Sequence, residues 1–484
     1  MELNKLPDEL LSQILDCLRL DKRSLRPLDD NPGKIGDLLN ARLVCRKWNS
    51  LATKHAFRTI FLAPTEKGLK AWAGLLSSNP VISAARRVVI YSSSFSAQDE
   101  DYYEWEGWKD DTFSEFTDAM SRIRDLDLVD QICLRFTSKC VGVAADPDFF
   151  WGNDVEEIST RENTLKALFE AIRERAGQPN AAKIRSLTIK HLQNVPLPDF
   201  TSSDLFKSVA KDLDQLHLEV AEEYNKHGPD HDIYCIELVQ FEPYMQRHWL
   251  SPLADQLTSL TLNFGECWGT LPGNFNGRGL VFPQLKTLTL GSYAISHHDH
   301  LDWVVSQPSL KSLRLDWCFI VSFIRTEASK IVEWNVPTYD WERLPHGAFG
   351  FDFSDDAVYR FPGTWESVFD KIRTRLPNLV DFQFHISRSG PVCFDNPRPL
   401  PTKLSLGRYI VFDIGLCPSR WIEPNYDTGA LSFGNHNRSR WRRIGPDEEN
   451  ACRYIDEMDR EKLTGEGDTR AFDALLKATY ERRC

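Results

Sequence analysis

The sequence predicts a mixed α/β chain in three parts: a small N-terminal helical module, an irregular solenoid of strand–helix units, and a helical C-terminal cap. Three observations predict it. Two amphipathic helical stripes occupy residues 6–52, an L-x-x-L-x-L spacing recurs from Ile184 to Phe384, and helical spacing returns after Asp447. A length of 484 residues fits several domains or one elongated array. At 42% hydrophobic residues, there is enough apolar material for a core.

The 58 Lys and Arg stand against 70 Asp and Glu, a net charge of −12. That balance argues against nucleic-acid binding and against a polybasic membrane anchor, both of which need concentrated positive charge. Eleven scattered cysteines without a C-x-x-C pair fit reduced, buried thiols better than a disulfide framework. The opening MELNKLPDELL lacks a basic-then-apolar leader, and no apolar run approaches the ~18 residues of a membrane span. The chain is therefore expected in the cytoplasm and/or nucleus, with no membrane partner.

The first stripe runs through LPDELLSQILDCLR. Pro7 suits the first helical position, and Asp8 and Glu9 place negative charge at the positive end of the helix dipole. Leu10, Ile14 and Leu18 recur at i, i+4 and i+8, with Leu11 and Leu15 beside them. A polar segment from Asp21 to Gly36, with Pro27, Pro32 and Gly33, breaks the helix. In the second stripe Leu39, Leu43, Val44, Trp48, Leu51 and Ala52 mark one face, and Arg42, Arg46 and Lys47 the other. Helices this short cannot bury both stripes against each other, so the downstream chain or a partner must cover the excess.

These residues resemble the F-box. The Leu6-Pro7 start with Glu9-Leu10, the Ile14-Leu15 and Leu18 positions, the Val44-Cys45-Arg46-Lys47-Trp48 signature and the Phe57–Leu62 exit carry the likeness, over 1–62. In that family a small helical module docks on the Skp adaptor of Skp–cullin–F-box ubiquitin ligases. The resemblance implies that Leu6, Pro7, Leu10, Ile14, Leu18, Val44, Cys45 and Trp48 form or support the docking surface. The Asp21–Asp37 segment is longer than the family usually has and reads as an exposed loop, leaving the place of the middle helix open.

From 63 to 388 the strand template stands at Ile184-Leu187-Ile189, Leu213-Leu216-Leu218, Leu257-Leu260-Leu262, Leu285-Leu288-Leu290, Leu310-Leu313-Leu315 and Leu379-Phe382-Phe384. Weaker copies stand at Ala85-Val88-Ile90 and Ile123-Leu126-Leu128. The closest spacings lie in the leucine-rich-repeat range. Helical spacing between copies, as in Leu165, Leu168, Phe169 and Ile172, completes a strand–helix unit. The expected architecture is similar to fungal F-box proteins: an F-box followed by an irregular, leucine-rich-repeat-like array. The gap from Leu315 to Leu379 reads as an insertion or as diverged repeats. Residues 389–484 are read as a capping region, with Phe472, Leu475, Leu476 and Tyr480 on one helical face.

If the leucines face inward, period-2 alternation puts polar residues on the opposite, concave sheet face. Candidate target-binding residues there are Thr188, Lys190, His217, Thr261, Asn263, Arg314, Asp316 and Gln383. A plain solvated face is the competing reading. The acidic, aromatic segment 95–113 adds Tyr102 and Trp105 as partner anchors, since Trp and Tyr dominate interface hot spots. His297, His298 and His300 look metal-like but lack a helical H-x-x-x-H or a matched cysteine pair, and read as a polar turn. The basic cluster Arg438–Arg443 offers contact to an acidic partner or nucleic acid but, in an acidic chain, reads as a solvated or salt-bridged face. No nucleophile-elbow, phosphate-loop, dinucleotide or zinc-protease motif appears.

The expected function is a non-catalytic substrate-recognition subunit of a Skp–cullin–F-box ligase, without cofactor. Its partners are the Skp adaptor, through it cullin, and a protein target. The alternatives are an adaptor-bound scaffold outside the ligase and an enzyme with dispersed catalytic residues.

Overall fold

The leucine spacing that repeats in the sequence becomes a run of parallel strands placed side by side in chain order. The computed structural model describes residues 6–18, 35–92, 112–138, 140, 156–221, 236–346, 356–386, 400–405, 407–413, 421–422, 424–425, 430–431 and 460–483. Three helices come first: α1 (Asp8–Cys17), α2 (Gly36–Ala41) and α3 (Arg46–Ala56). Strands β1 (Thr59–Leu62), β2 (Arg87–Tyr91), β3 (Gln131–Arg135), β4 (Ser186–Gln193), β5 (Gln215–Ala221), β6 (Ser259–Trp268), β7 (Thr287–Ile295) and β8 (Ser312–Asp316) follow. Each pairs in parallel with the next. The carbonyls of Arg58, Arg86, Asp130, Arg185, Asp214, Thr258 and Lys286 each accept two N–H groups from the start of the following strand. This repeated fork fixes the register. It leaves Ile60, Val88, Ile132, Leu187, Leu216, Leu260, Leu288 and Leu313 buried in one row.

Helices cover the leucine side. Phe169, Phe200, Phe206 and Trp249, from successive crossovers, stack edge and face with centroids 5.0–6.5 Å apart, joining neighbouring units. Beyond β8 the long sequence gap proves to be an insertion between neighbours, because β12 (Asp381–His385) pairs directly with β8. The inserted β9 (Phe319–Glu327) pairs with the end of β7 and carries β11 (Asp356–Arg360) and β13 (Tyr409–Asp413) on its two edges, with β10 (Glu342–Arg343) beyond β11. The expected weak copy at Ile123-Leu126-Leu128 is not a strand. Arg122–Asp125 is a 3₁₀ turn, and the template sits six residues on, at Val129-Ile132-Leu134. Likewise Phe57-Ile60-Leu62, read as the exit of the first module, supplies the first strand of the sheet.

The C-terminal helix Arg460–Glu481 closes the far edge. Phe472 and Leu475 are buried, and Leu476 packs beside them, but Tyr480 is 67% exposed and off the inward face. Arg408 is buried between Asp468 (2.9 Å) and Glu461 (3.3 Å), and Asp468 also accepts from the Tyr409 hydroxyl. Burial, then the Asp468 charge, raises the Tyr409 pKa above its ordinary value. Among the described residues, no helix is long and apolar enough to cross a membrane.

Candidate adaptor-docking site

The first three helices share a small core of Leu11, Leu15, Leu38, Ala41, Leu51, Ala52 and Ala56. Polar ties hold α1 against α3. Lys47 donates to the Leu6 carbonyl (2.8 Å) and pairs with Asp8 (2.9 Å), and Ser12 bonds His55 (2.8 Å). Pro7 is the N-cap of α1, with φ −53° and ψ 150°, rather than its first helical residue. Cys45, extended at φ −164°, caps α3.

With Leu11 and Leu15 turned inward, their neighbours on α1 face out: Leu10 is 46% and Ile14 42% exposed. The second stripe also divides. Leu38, Ala41, Leu51 and Ala52 are buried, whereas Leu39 (38%), Leu43 (84%) and Val44 (59%) stand in solvent. The single apolar face expected from Leu39 through Ala52 is therefore two faces. The one-residue offset from Leu38 to Leu39 separates them, since successive helical residues point about 100° apart. Of the expected docking residues, Leu10, Ile14, Val44 and Pro7 are exposed and Cys45 is half-buried. Leu6, Leu18 and Trp48 instead pack on the rim of the module's own core. Leu43, the most exposed of the group, was visible in the stripe but not singled out. The whole module is fixed to the sheet through Phe57, which packs against both its core and that of the sheet.

The sheet face opposite the leucines holds the other candidates in adjacent register. Thr188, His217, Thr261, Thr289, Arg314 and Gln383 form one row across β4–β8 and β12. The solvated face that the alternation allowed is not what they make. Thr188, Thr261, Asn263, Arg314, Asp316 and Gln383 are buried, and Lys190 and His217 half-buried. Strands about 4.8 Å apart crowd these side chains against each other. His217 bonds Thr261 (2.8 Å), and His385 bonds Asp316 (3.0 Å). Gln383 accepts from the Leu400 N–H (2.7 Å). The Asn263 amide lies over Gly291, where a Cβ would come within 1.9 Å of its oxygen, so any side chain there would displace the amide. Tyr102 and Trp105 lie outside the described residues, as does the Arg438–Arg443 cluster.

In the histidine turn His297 and His300 are buried, whereas His298 is exposed. The Ser296 N–H donates to His300 Nδ1, so the His300 proton sits on Nε2 and reaches His297 Nδ1 at 3.0 Å. The His297 proton on Nε2 then meets the Pro337 carbonyl at 2.8 Å. Burial, and then the neighbouring His297, pushes the His300 pKa down to about 3, and burial lowers that of His297. Both rings are neutral fasteners between the 296–300 turn and the 337–341 segment. Among the described residues, no group of three or more His, Cys, Asp or Glu could hold a metal ion.

No curated protein matches the chain. Residues 3–63 match the family model described as F-box-like, the same segment whose three helices leave Leu10, Ile14, Leu43 and Val44 uncovered. The chain thus carries an F-box-like domain at the head of a mixed helix-and-sheet body.

Proposed function

We propose that this chain is a target-recognition subunit of a Skp–cullin–F-box ubiquitin ligase. The observation that carries the reading is the set of exposed apolar side chains on the F-box-like domain, Leu10, Ile14, Leu39, Leu43 and Val44. Solvent-facing apolar groups of this size mark protein contacts when they cluster in one small module. The Skp adaptor is the partner that F-box domains generally take, and cullin joins through the adaptor. The strand-by-strand run from β1 to β8 is read as a leucine-rich-repeat-like solenoid of the kind found with fungal F-boxes. Its repeated carbonyl forks and buried leucine row support that reading. The sheet face then receives the target, and the chain does no chemistry. It raises the local concentration of target lysines beside the catalytic partners.

Mixing the purified chain with the adaptor tests the docking. A one-to-one complex is expected, weakened at least 30-fold by Leu10→Asp or Val44→Asp, as for a hot-spot residue of about 2 kcal/mol or more. An unchanged affinity in both variants overturns it. Co-purification of cullin with the complex distinguishes a ligase subunit from a scaffold outside the ligase.

A further inference from the structure

The stretch that carries the exposed Leu39, Leu43 and Val44 is also cationic. From Leu38 to Thr65 there is no Asp or Glu, while Arg42, Arg46, Lys47, Lys54 and Arg58 fall within it, on a chain whose net charge is −12. Lys47 is engaged by Asp8 (2.9 Å) and the Leu6 carbonyl (2.8 Å). Arg42 is half-buried, lies 5.0 Å from the Phe57 ring centroid and donates to the neutral Asn49 amide (3.2 Å). Arg46, Lys54 and Arg58 are exposed, and among the described residues no carboxylate pairs with them. Of the α1 acids, Asp8 is taken by Lys47 and Asp16 faces His55 at 3.4 Å. Arg46 is also placed against local preference. Cys45 caps α3, so Arg46 is its first residue, at the positive end of the helix dipole, and the first turn holds no acid. A cation that its own helix disfavours, unpaired and two residues from the exposed Val44, is a local misfit of the sort that contact sites retain. Arg46, Ser50 and Lys54 stand at i, i+4 and i+8 and form one exposed stripe, about 12 Å long.

We infer that this stripe meets an acidic strip on the adaptor, with carboxylates on Arg46 and Lys54 beside the apolar contact at Leu43 and Val44; this rests on the docking reading above. Charges at the rim of an apolar contact steer association and select the partner, and they are screened by salt. Salt dependence is therefore their signature. A stripe this short suits carboxylates on a folded surface, whereas a nucleic acid needs a longer basic track to outweigh the acidic chain.

The test is calorimetric titration of the Skp adaptor into the full chain at about 0.05 and 0.5 M salt, over which the screening length falls from roughly 14 to 4 Å. The double variant Arg46→Glu/Lys54→Glu is expected to bind about tenfold more weakly, or worse, at the lower salt, and within about threefold of the native chain at the higher. The pair Lys286→Glu/Lys311→Glu makes the same charge change at exposed positions just before β7 and β8, and should stay within about twofold at both. Leu43→Ser, an uncharged change, should weaken binding equally at either salt. Arg46→Glu alone puts an acid where the α3 dipole favours one. It should therefore be at least as stable as the native chain in denaturation, yet bind about threefold more weakly at low salt. No loss in either Arg46 variant, the same loss in the Lys286/Lys311 pair, or a loss that added salt does not shrink overturns the inference and leaves the docking reading standing. So does a single-stranded oligonucleotide that binds more tightly than the adaptor and is lost in the same variants. Absence of adaptor binding to the native chain overturns the docking reading, and this one with it.

Discussion

The two ends of this molecule use leucine in opposite ways. Along the sheet, Leu187, Leu216, Leu260, Leu288 and Leu313 are sealed between strands and crossover helices. In the N-terminal module, Leu11 and Leu15 are sealed as well, but Leu10, Leu39 and Leu43 face solvent. Each strand of the run has neighbours on both sides to cover its apolar row, and the C-terminal helix covers the far edge. The three short helices have a neighbour on one side only, where α3 and Phe57 meet the rest of the chain. Apolar surface beyond what their small core needs is left for a partner, and a leucine's role follows from which row it occupies.

Breaking the covered end should cost most. Arg408→Met leaves Asp468 and Glu461 buried without their cation, and a loss of roughly 3–5 kcal/mol is expected in chemical denaturation. Leu216→Ala, in the sealed row, should cost about 2–5 kcal/mol. Leu43→Ser, in the open row, should change stability by less than about 0.5 kcal/mol. A destabilisation by Leu43→Ser comparable to that of Leu216→Ala would show that the open row is covered by this chain itself.

The histidine fastener gives a pH-dependent effect. Its rings are neutral when folded, while in the unfolded chain they take up protons near pH 6.5. Stability therefore declines as pH falls below 6.5, and for His300 the decline continues to about pH 3. The slope for one such ring is about 1.4 kcal/mol per pH unit. Denaturation at pH 7, 6 and 5 should show it, and His300→Asn should flatten it. An equal slope in the variant would assign the acid sensitivity elsewhere.

Much of this was legible in the sequence because parallel strands with one buried face repeat a short apolar code. Six copies of that code placed β4–β8 and β12. The copy at Val129 was missed because Ile123-Leu126-Leu128 satisfies the same spacing within a 3₁₀ turn, and spacing alone cannot tell the two apart. The docking residues were legible as a motif but not as a face, since Leu38 and Leu39 are both apolar and only packing decides which turns inward. The sheet face was legible in register and not in exposure. Whether Thr261 or Asp316 meets water depends on side chains brought beside it from strands tens of residues away.

The most direct measurement is calorimetric titration of the Skp adaptor into the full chain and into Val44→Asp, with denaturation of both forms in parallel. One-to-one binding to the native chain, at least 30-fold weaker binding to the variant and equal stability of the two are expected. Undiminished binding to a folded Val44→Asp chain, or none to the native one, would contradict the docking reading.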